Sequence, residues 1–200
     1  MSIESKKLKW SDLPEASELS QALEQEKYRE RYLKTLKSTV STLVVVAAIA
    51  ILTATLWLPV LQIYGNSMTP NLESGDMVVS VSAQKLRQGD VVAFYYNNKV
   101  LVKRVIATEG QWVDIDSQGT VSVDGQKLEE PYLADNEKDL GDTNIQLPYQ
   151  VPEGKFFVMG DHRSASIDSR NTAIGSIGNE QIVGRLVLRV WPLNRIQWIK

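Results

Sequence analysis

The sequence predicts a mainly β protein, with an antiparallel β-sheet or barrel preceded by one transmembrane helix. Two features of its 200 residues carry this prediction. A long apolar segment without charge lies near the amino terminus, and short runs of alternating apolar and polar residues follow it. With 43% hydrophobic residues, the chain is long enough for one folded domain and one further segment, but too short for two large domains.

Residues 1–37 are predicted to form a cytoplasmic amino-terminal tail. This stretch mixes acidic and basic side chains with few large apolar ones, so its composition favours a helix without a strong apolar stripe. We therefore expect a solvated tail or helix that fixes the topology and carries no chemistry of its own.

Residues 38–63 are predicted to cross the membrane as a helix. Thr39 to Ile63 contain no charged residue, and at about 1.5 Å per residue they can cross a hydrocarbon layer about 30 Å thick. A buried core helix is rarely this long without a polar face, and a cleavable signal peptide would not begin after so many charged residues. The basic residues before the segment predict a cytoplasmic amino terminus and an extracytoplasmic domain after it. These residues are Lys27, Arg29, Arg31, Lys34 and Lys37.

Residues 64–200 are predicted to fold as a β-rich domain. Their apolar runs have a period of two, which places successive side chains on opposite faces of a strand, and Gly, Asn, Asp and Pro clusters separate the runs. We expect strands at DMVVSVSA, DVVAFYY, KVLVKRVIA, QWVDID, TVSVDGQKL, KFFVMG and IVGRLVLRVW. Residues 129–150 are the least patterned part and are expected to form a long surface loop.

The composition excludes several classes of function. The chain has no cysteine, so disulfides, thiolate metal ligands and a cysteine nucleophile are excluded, and a single histidine argues against a histidine-rich metal site or a Ser/His/Asp triad. A net charge of -2, with basic residues spread among acidic ones, argues against nucleic acid as a partner. No phosphate-binding loop or metal-ligand spacing occurs, so we expect no cofactor and no metal.

Ser67 is the first candidate catalytic residue, since it lies in GNSMTP (65–70) a few positions after the apolar segment. Gly, Asn, Ser and Pro also make ordinary turns, in which a serine only caps or solvates the backbone. The stretch alone does not decide between a turn and a nucleophile.

Lys103 is the candidate base. If KVLVKRVIA (99–107) is a strand, Lys103 shares its face with Leu101 and Val105. Loss of hydration there would lower the pKa of its ammonium from about 10.4 toward the roughly 7 to 8 that suits a general base. The alternative is a lysine exposed on a strand edge, where it blocks aggregation.

The stretch GDHRSASIDSR (160–170) concentrates serines, aspartates and arginines. An ion pair between Asp168 and Arg170 could hold a turn, and Asp161 could cap a short element. This structural reading is compatible with a catalytic one.

GNSMTPNLESGD (65–76), KRVIATEG (103–110) and GDHRSASIDSR, in this order after an apolar segment, resemble the sequence boxes of type I signal peptidases. These are membrane-bound serine/lysine enzymes that remove signal peptides from exported proteins. The resemblance implies that Ser67 is the nucleophile and Lys103 the general base. It further implies that Ser166 hydrogen-bonds and orients the lysine, and that Asp168 and Arg170 form a structural ion pair beside the site.

The sequence also departs from the family pattern. Gly65 stands where some members carry a hydroxyl residue that supplies a second oxyanion donor, so that donor stays unassigned. Gly65 is expected instead to allow a backbone conformation that other residues avoid. The usual Asn of the last box is His162, which we interpret as a local hydrogen-bonding substitute. Met68 is the nearest candidate for a substrate-binding residue, although packing is an equally good role for it.

The resemblance implies signal-peptide-bearing preproteins and the lipid bilayer as partners, and the sequence carries no signal for an oligomeric state. Self-cleaving repressors share a related Ser/Lys arrangement, but they have a DNA-binding helical domain where this chain has an apolar segment. The remaining alternative is a non-catalytic, membrane-tethered β domain that binds exported peptides.

Overall fold

The computed structural model describes residues 15–57, 59–82, 85–133 and 138–199. Residues 1–14 of the predicted tail and the last residue, Lys200, lie outside the described residues. The chain divides into two units, residues 1–54 and 55–200.

The first unit is dominated by one long helix, α1 (Ala16–Trp57), which runs through both the predicted tail and the predicted span. Its part Ser17–Thr53 is long and apolar enough to cross a membrane, by length and composition. The helix ends at Trp57, short of the boundary predicted at residue 63. Pro59 has no backbone N–H to continue the helical hydrogen bonds, and the residues after it form a strand instead.

In its described residues, the second unit contains twelve short strands. They are β1 (Val60–Gln62), β2 (Met77–Val81), β3 (Val91–Tyr96), β4 (Lys99–Ala107), β5 (Trp112–Ile115), β6 (Val121–Val123), β7 (Gln126–Lys127), β8 (Tyr149–Gln150), β9 (Lys155–Met159), β10 (Ile177–Gly178), β11 (Ile182–Trp191) and β12 (Gln197–Trp198).

The strands form two antiparallel sheets, which confirms the predicted fold class. The larger sheet has the order β1-β2-β11-β3-β4-β9-β10, with β12 paired to β11, and the smaller has the order β7-β6-β5-β8. Every predicted run contains a strand. The strands that the pattern missed, β1, β8, β10 and β12, have at most three residues each, too few to show alternation.

The hairpin between β3 and β4 sets the register of the strand that carries Lys103. Asn97 and Asn98 both have positive φ, 43° and 62°, as expected for a two-residue hairpin turn of this type. The turn pairs Tyr96 with Lys99, and the ladder then places Lys103 opposite Val92.

The core lies on both faces of the larger sheet. On β4, Val105 and Ile106 point to opposite sides and enter different apolar clusters, as the period of two predicts. The predicted surface loop 129–150 is only partly exposed. Leu140, Ile145 and Leu147 pack against the cluster that contains Ile106, and residues 134–137 lie outside the described residues.

Candidate active site

The side chains of Ser67 and Lys103 lie in contact. Lys103 Nζ is 2.6 Å from Ser67 Oγ, and Lys103 is only 3% exposed. The alternative of a lysine on an exposed strand edge is therefore wrong. Strand β4 carries Lys103 within the larger sheet, where it pairs with Val92 of β3.

Ser67 sits in a tight turn that its neighbours stabilise. The N–H of Thr69 donates to the carbonyl of Asn66 at 3.1 Å, and the N–H of Leu72 donates to that of Met68 at 2.8 Å. Gly65 precedes the turn with φ +87°, a left-handed conformation that favours glycine. The conformational role expected for Gly65 is therefore supported by its backbone.

The surroundings of Lys103 favour its neutral form. Loss of hydration lowers its pKa from 10.5 to about 8, which is the largest effect. The negative charge of Asp168 raises the pKa and the positive charge of Arg170 lowers it, so these two neighbours oppose each other. With a pKa of about 8, roughly a tenth of the amine is unprotonated at pH 7.

The predicted ion pair of Asp168 with Arg170 is present and buried. Arg170 Nε donates to Asp168 Oδ1 at 2.8 Å, and its Nη2 donates to Oδ2 at 2.9 Å. Ser166 Oγ donates to Asp168 Oδ2 at 2.7 Å. The hydroxyl proton of Ser166 thus goes to a carboxylate, the stronger acceptor, while the oxygen can still accept a hydrogen bond, so the bond to Lys103 that the resemblance implied stays a prediction.

Gly160 is the point at which the last box packs against the nucleophile's backbone. A Cβ at this position would lie 2.5 Å from the carbonyl oxygen of Ser67 and 2.3 Å from Ser166 Oγ. The N–H of Gly160 donates to Asp168 Oδ2 at 2.9 Å, so the ion pair also fixes this backbone. Only a residue without a side chain fits here, a requirement that no sequence pattern signalled.

A second buried ion pair, Arg104 with Asp161, was missed from the sequence. Arg104 Nη2 donates to Asp161 Oδ2 at 2.7 Å and Nε donates to Oδ1 at 2.9 Å. The Arg104 guanidinium also lies 4.0 Å from the centre of the Tyr132 ring. Asp161 is therefore an ion-pair partner and not the cap that seemed plausible. The adjacent Lys103-Arg104 pair was visible in the sequence, but nothing identified the acidic partner.

The loop that leads to residue 133 is tied to the last box. Arg163 is fully buried, and it pairs with Glu130 and donates to the carbonyl of Gly160 at 3.2 Å. Burial raises the pKa of Tyr132, whose hydroxyl donates to Glu130 at 2.9 Å. Glu130 lies in the stretch expected to be a surface loop, where a buried carboxylate could not be anticipated.

A cavity of about 530 Å³ opens at Ser67 and Lys103. Residues 61–65 line one wall, residues 99–103 line the other, and Met68 contributes while being 2% exposed. Five consecutive residues of β4 line the cavity. Side chains of a strand alternate between the two faces of the sheet, so consecutive lining residues indicate that the cavity meets the edge of β4 and not one of its faces. In the described ladder, β9 pairs with β4 only from Arg104 onward, and β1 is the terminal strand of its sheet. The cavity thus lies between two available strand edges.

Comparison with known proteins gives a single consistent result. A family model described as signal peptidase, peptidase S26, matches residues 36–191. The chain is 31% identical over 169 residues to signal peptidase I of Bacillus licheniformis, covering 79% of this chain and 90% of the relative. It is 38% identical over 154 residues to signal peptidase IB of Staphylococcus aureus (strain MRSA252), covering 68% and 79%. A solved signal peptidase I from Enterococcus faecalis V583 is 29% identical, covers 52% of this chain and 99% of that chain, and gives a TM-score of 0.43.

Proposed function

The chain belongs to the peptidase S26 family of signal peptidases, and from that membership we propose that Ser67 and Lys103 form its catalytic dyad. The protein is a serine endopeptidase that cleaves signal peptides from preproteins. The single observation that supports the dyad is the 2.6 Å contact between Ser67 Oγ and the buried Nζ of Lys103. The alternative of a non-catalytic peptide-binding domain is not favoured.

The proposed reaction begins with Lys103 in its neutral form. Its amine accepts the proton of Ser67, and the Ser67 oxygen attacks the carbonyl carbon of the scissile bond. The N–H of Ser67 is the first donor to the developing oxyanion, while the second donor stays unassigned. The Lys103 ammonium then protonates the leaving amine, which leaves an acyl-enzyme on Ser67.

Hydrolysis of the acyl-enzyme repeats the same proton transfers with water as the nucleophile. Neutral Lys103 accepts a proton from water, water attacks the ester carbonyl, and Ser67 Oγ recovers its proton as the new carboxyl product leaves. Asp168 and Arg170 do not touch the reacting atoms, so we assign them to positioning and to setting the local charge. Ser166 acts through Asp168 in this arrangement.

The substrate segment is proposed to bind as an extended strand in the cavity. The wall formed by residues 99–103 and the wall formed by residues 61–65 can each offer backbone hydrogen bonds to it. Met68 lines the cavity close to Ser67 in sequence, and its thioether would limit the size of the side chain next to the cut. This arrangement suits the small residues that the family implies before the cleavage site.

We propose that α1 anchors the enzyme in the bilayer, with its amino terminus in the cytoplasm and the β domain outside. The support is the apolar stretch within Ser17–Thr53 and the basic residues that precede the uncharged segment. The chain has no cysteine, so single engineered cysteines can report topology. A membrane-impermeant maleimide should label Glu153→Cys in intact spheroplasts and Gln25→Cys only after lysis. The opposite pattern would reverse the proposed orientation.

The dyad is tested by cleavage of a labelled preprotein with the full chain purified in detergent. Ser67→Ala and Lys103→Ala should each abolish cleavage at the signal-peptide boundary, whereas Ser164→Ala and Lys155→Ala should cleave normally. These matched controls remove an exposed serine and an exposed lysine from the same domain. Normal cleavage by Ser67→Ala would overturn the proposed nucleophile, and preprotein binding without cleavage by the wild type would favour the peptide-binding alternative.

A further inference from the structure

We propose that His162 and Thr69 form a positioning pair that holds the Ser67 turn in its reactive geometry. This inference rests on the proposed role of Ser67 as nucleophile. His162 is the chain's single histidine and is half-buried in the last box. It contacts the turn of residues 66–69 with both its backbone and its ring.

The backbone contact fixes the nucleophile itself. The N–H of His162 donates to the carbonyl oxygen of Ser67 at 3.1 Å. Gly160, two residues earlier, packs so closely on the same carbonyl that no side chain fits between them. The Ser67 carbonyl is therefore held from the side of the last box, although the hydroxyl of Ser67 is left to Lys103.

The ring contact fixes the other end of the turn. His162 Nδ1 lies 2.9 Å from Thr69 Oγ1, and Thr69 Oγ1 lies 2.8 Å from the carbonyl of Asn66, to which it donates. A threonine hydroxyl has one proton, so donation to Asn66 leaves Thr69 Oγ1 as the acceptor from His162. The ring must then carry its proton on Nδ1.

A hydrogen-bonded path therefore runs from His162 through Thr69 to Asn66, the residue immediately before Ser67. Together with the backbone bond to Ser67, it braces the turn on both sides of the nucleophile. Nδ1 donates whether the imidazole is neutral or charged, so the brace persists across the pH range in which Lys103 titrates. His162 is thus a positioning residue and not a second base.

Four variants test the pair with kcat, KM and the pH profile of kcat/KM. His162→Leu and Thr69→Val each remove one partner and should lower kcat about fivefold or more, with KM within about twofold of the wild type. His162→Asn should keep kcat within about twofold, because an amide nitrogen occupies the same position relative to Cβ and can donate the same bond. The double variant His162→Leu/Thr69→Val should be no slower than the slower single variant, since the pair acts as one unit.

The pH profile separates positioning from catalysis. The apparent pKa of kcat/KM should be the same in His162→Leu as in the wild type, since Lys103 still supplies the base. Thr69→Ser retains the hydroxyl and should restore most of the kcat lost in Thr69→Val. A thermal melt in the same buffer identifies variants that lose activity only because they unfold. For such a position, the kcat of the conservative variant, His162→Asn or Thr69→Ser, tests the positioning pair instead.

Three results would overturn the pair while leaving the dyad intact: unchanged kcat in His162→Leu, losses in the two single variants that multiply in the double variant, or equal losses in His162→Asn and His162→Leu. Loss of the dyad has a different signature. If Ser67→Ala retains normal cleavage in the same assay, the proposed function fails, irrespective of the behaviour of His162.

Discussion

The pH dependence of cleavage should follow the deprotonation of Lys103. The pH is varied from 6 to 9 while the protein is left unaltered. Burial lowers the pKa of this amine to about 8, while the neighbouring charges of Asp168 and Arg170 partly oppose each other. Since only the neutral amine can accept the Ser67 proton, kcat/KM should rise with pH through this range and level off above it.

The magnitude follows from a single titration. With a pKa of about 8, roughly 1% of Lys103 is neutral at pH 6, about 9% at pH 7, half at pH 8 and about 90% at pH 9. The expected increase in kcat/KM is therefore about tenfold from pH 6 to 7 and about ninetyfold from pH 6 to 9. If the base were an unburied lysine with a pKa of 10.5, kcat/KM would still be rising steeply with pH at pH 9.

The assay measures initial rates on a fluorogenic signal-sequence peptide without side chains that titrate between pH 6 and 9, in detergent at constant ionic strength. The exposed-lysine variant Lys155→Ala is the matched control and should give the same curve. Far-UV circular dichroism at each pH confirms that the fold persists. A flat profile, or an apparent pKa near that of a free lysine, would show that burial does not prepare Lys103 as the base.

Three further predictions concern the supporting residues. Gly160→Ala should lower kcat by more than tenfold in the peptide assay while the protein stays folded by circular dichroism, because its methyl group displaces the Ser67 carbonyl; wild-type kcat would contradict the packing. Arg170→Met should move the apparent pKa of kcat/KM upward, because the charge of Asp168 is then no longer offset; a downward shift would show that the pair acts otherwise. Lys103→Met should be inactive yet more stable at pH 7 by roughly 3 kcal/mol. Folding lowers the pKa of Lys103 from 10.5 to about 8, so the stability of the wild type rises with pH between these two values. Below pH 8 the wild type bears the whole free-energy cost of burying the ammonium, which the methionine variant lacks. Urea unfolding measures this difference, and a lower midpoint in the variant would contradict it.

The period of apolar residues predicted the larger architecture because strand alternation is a local property. The run KVLVKRVIA became β4 with the predicted bounds, and Val105 and Ile106 face opposite clusters. Its hairpin turn at Asn97 and Asn98 is also encoded locally, by two residues that tolerate positive φ. The missed strands β1, β8, β10 and β12 were not predictable in this way, because two or three residues are too few to show a period.

The supporting residues of the site were less predictable because their partners are far apart in sequence. Arg104 meets Asp161 across 57 positions, and Thr69 meets His162 across 93. A single sequence contains no signal that joins such pairs. The resemblance supplied the dyad and the Asp168 ion pair, but it did not indicate that Ser166 donates to Asp168.

The effect of neighbouring charges on Lys103 explains why Asp168 and Arg170 occur together as an ion pair beside it. Asp168 alone would hold the ammonium charged and remove the base, whereas Arg170 alone would leave a buried guanidinium without a partner. As a bidentate pair, the two groups supply fixed acceptors for Ser166 and for the N–H of Gly160. Their effects on the pKa of Lys103 act in opposite directions, and the loss of hydration has the largest effect. The pair can therefore organise the backbone beneath Ser67 without protonating the base that Ser67 requires.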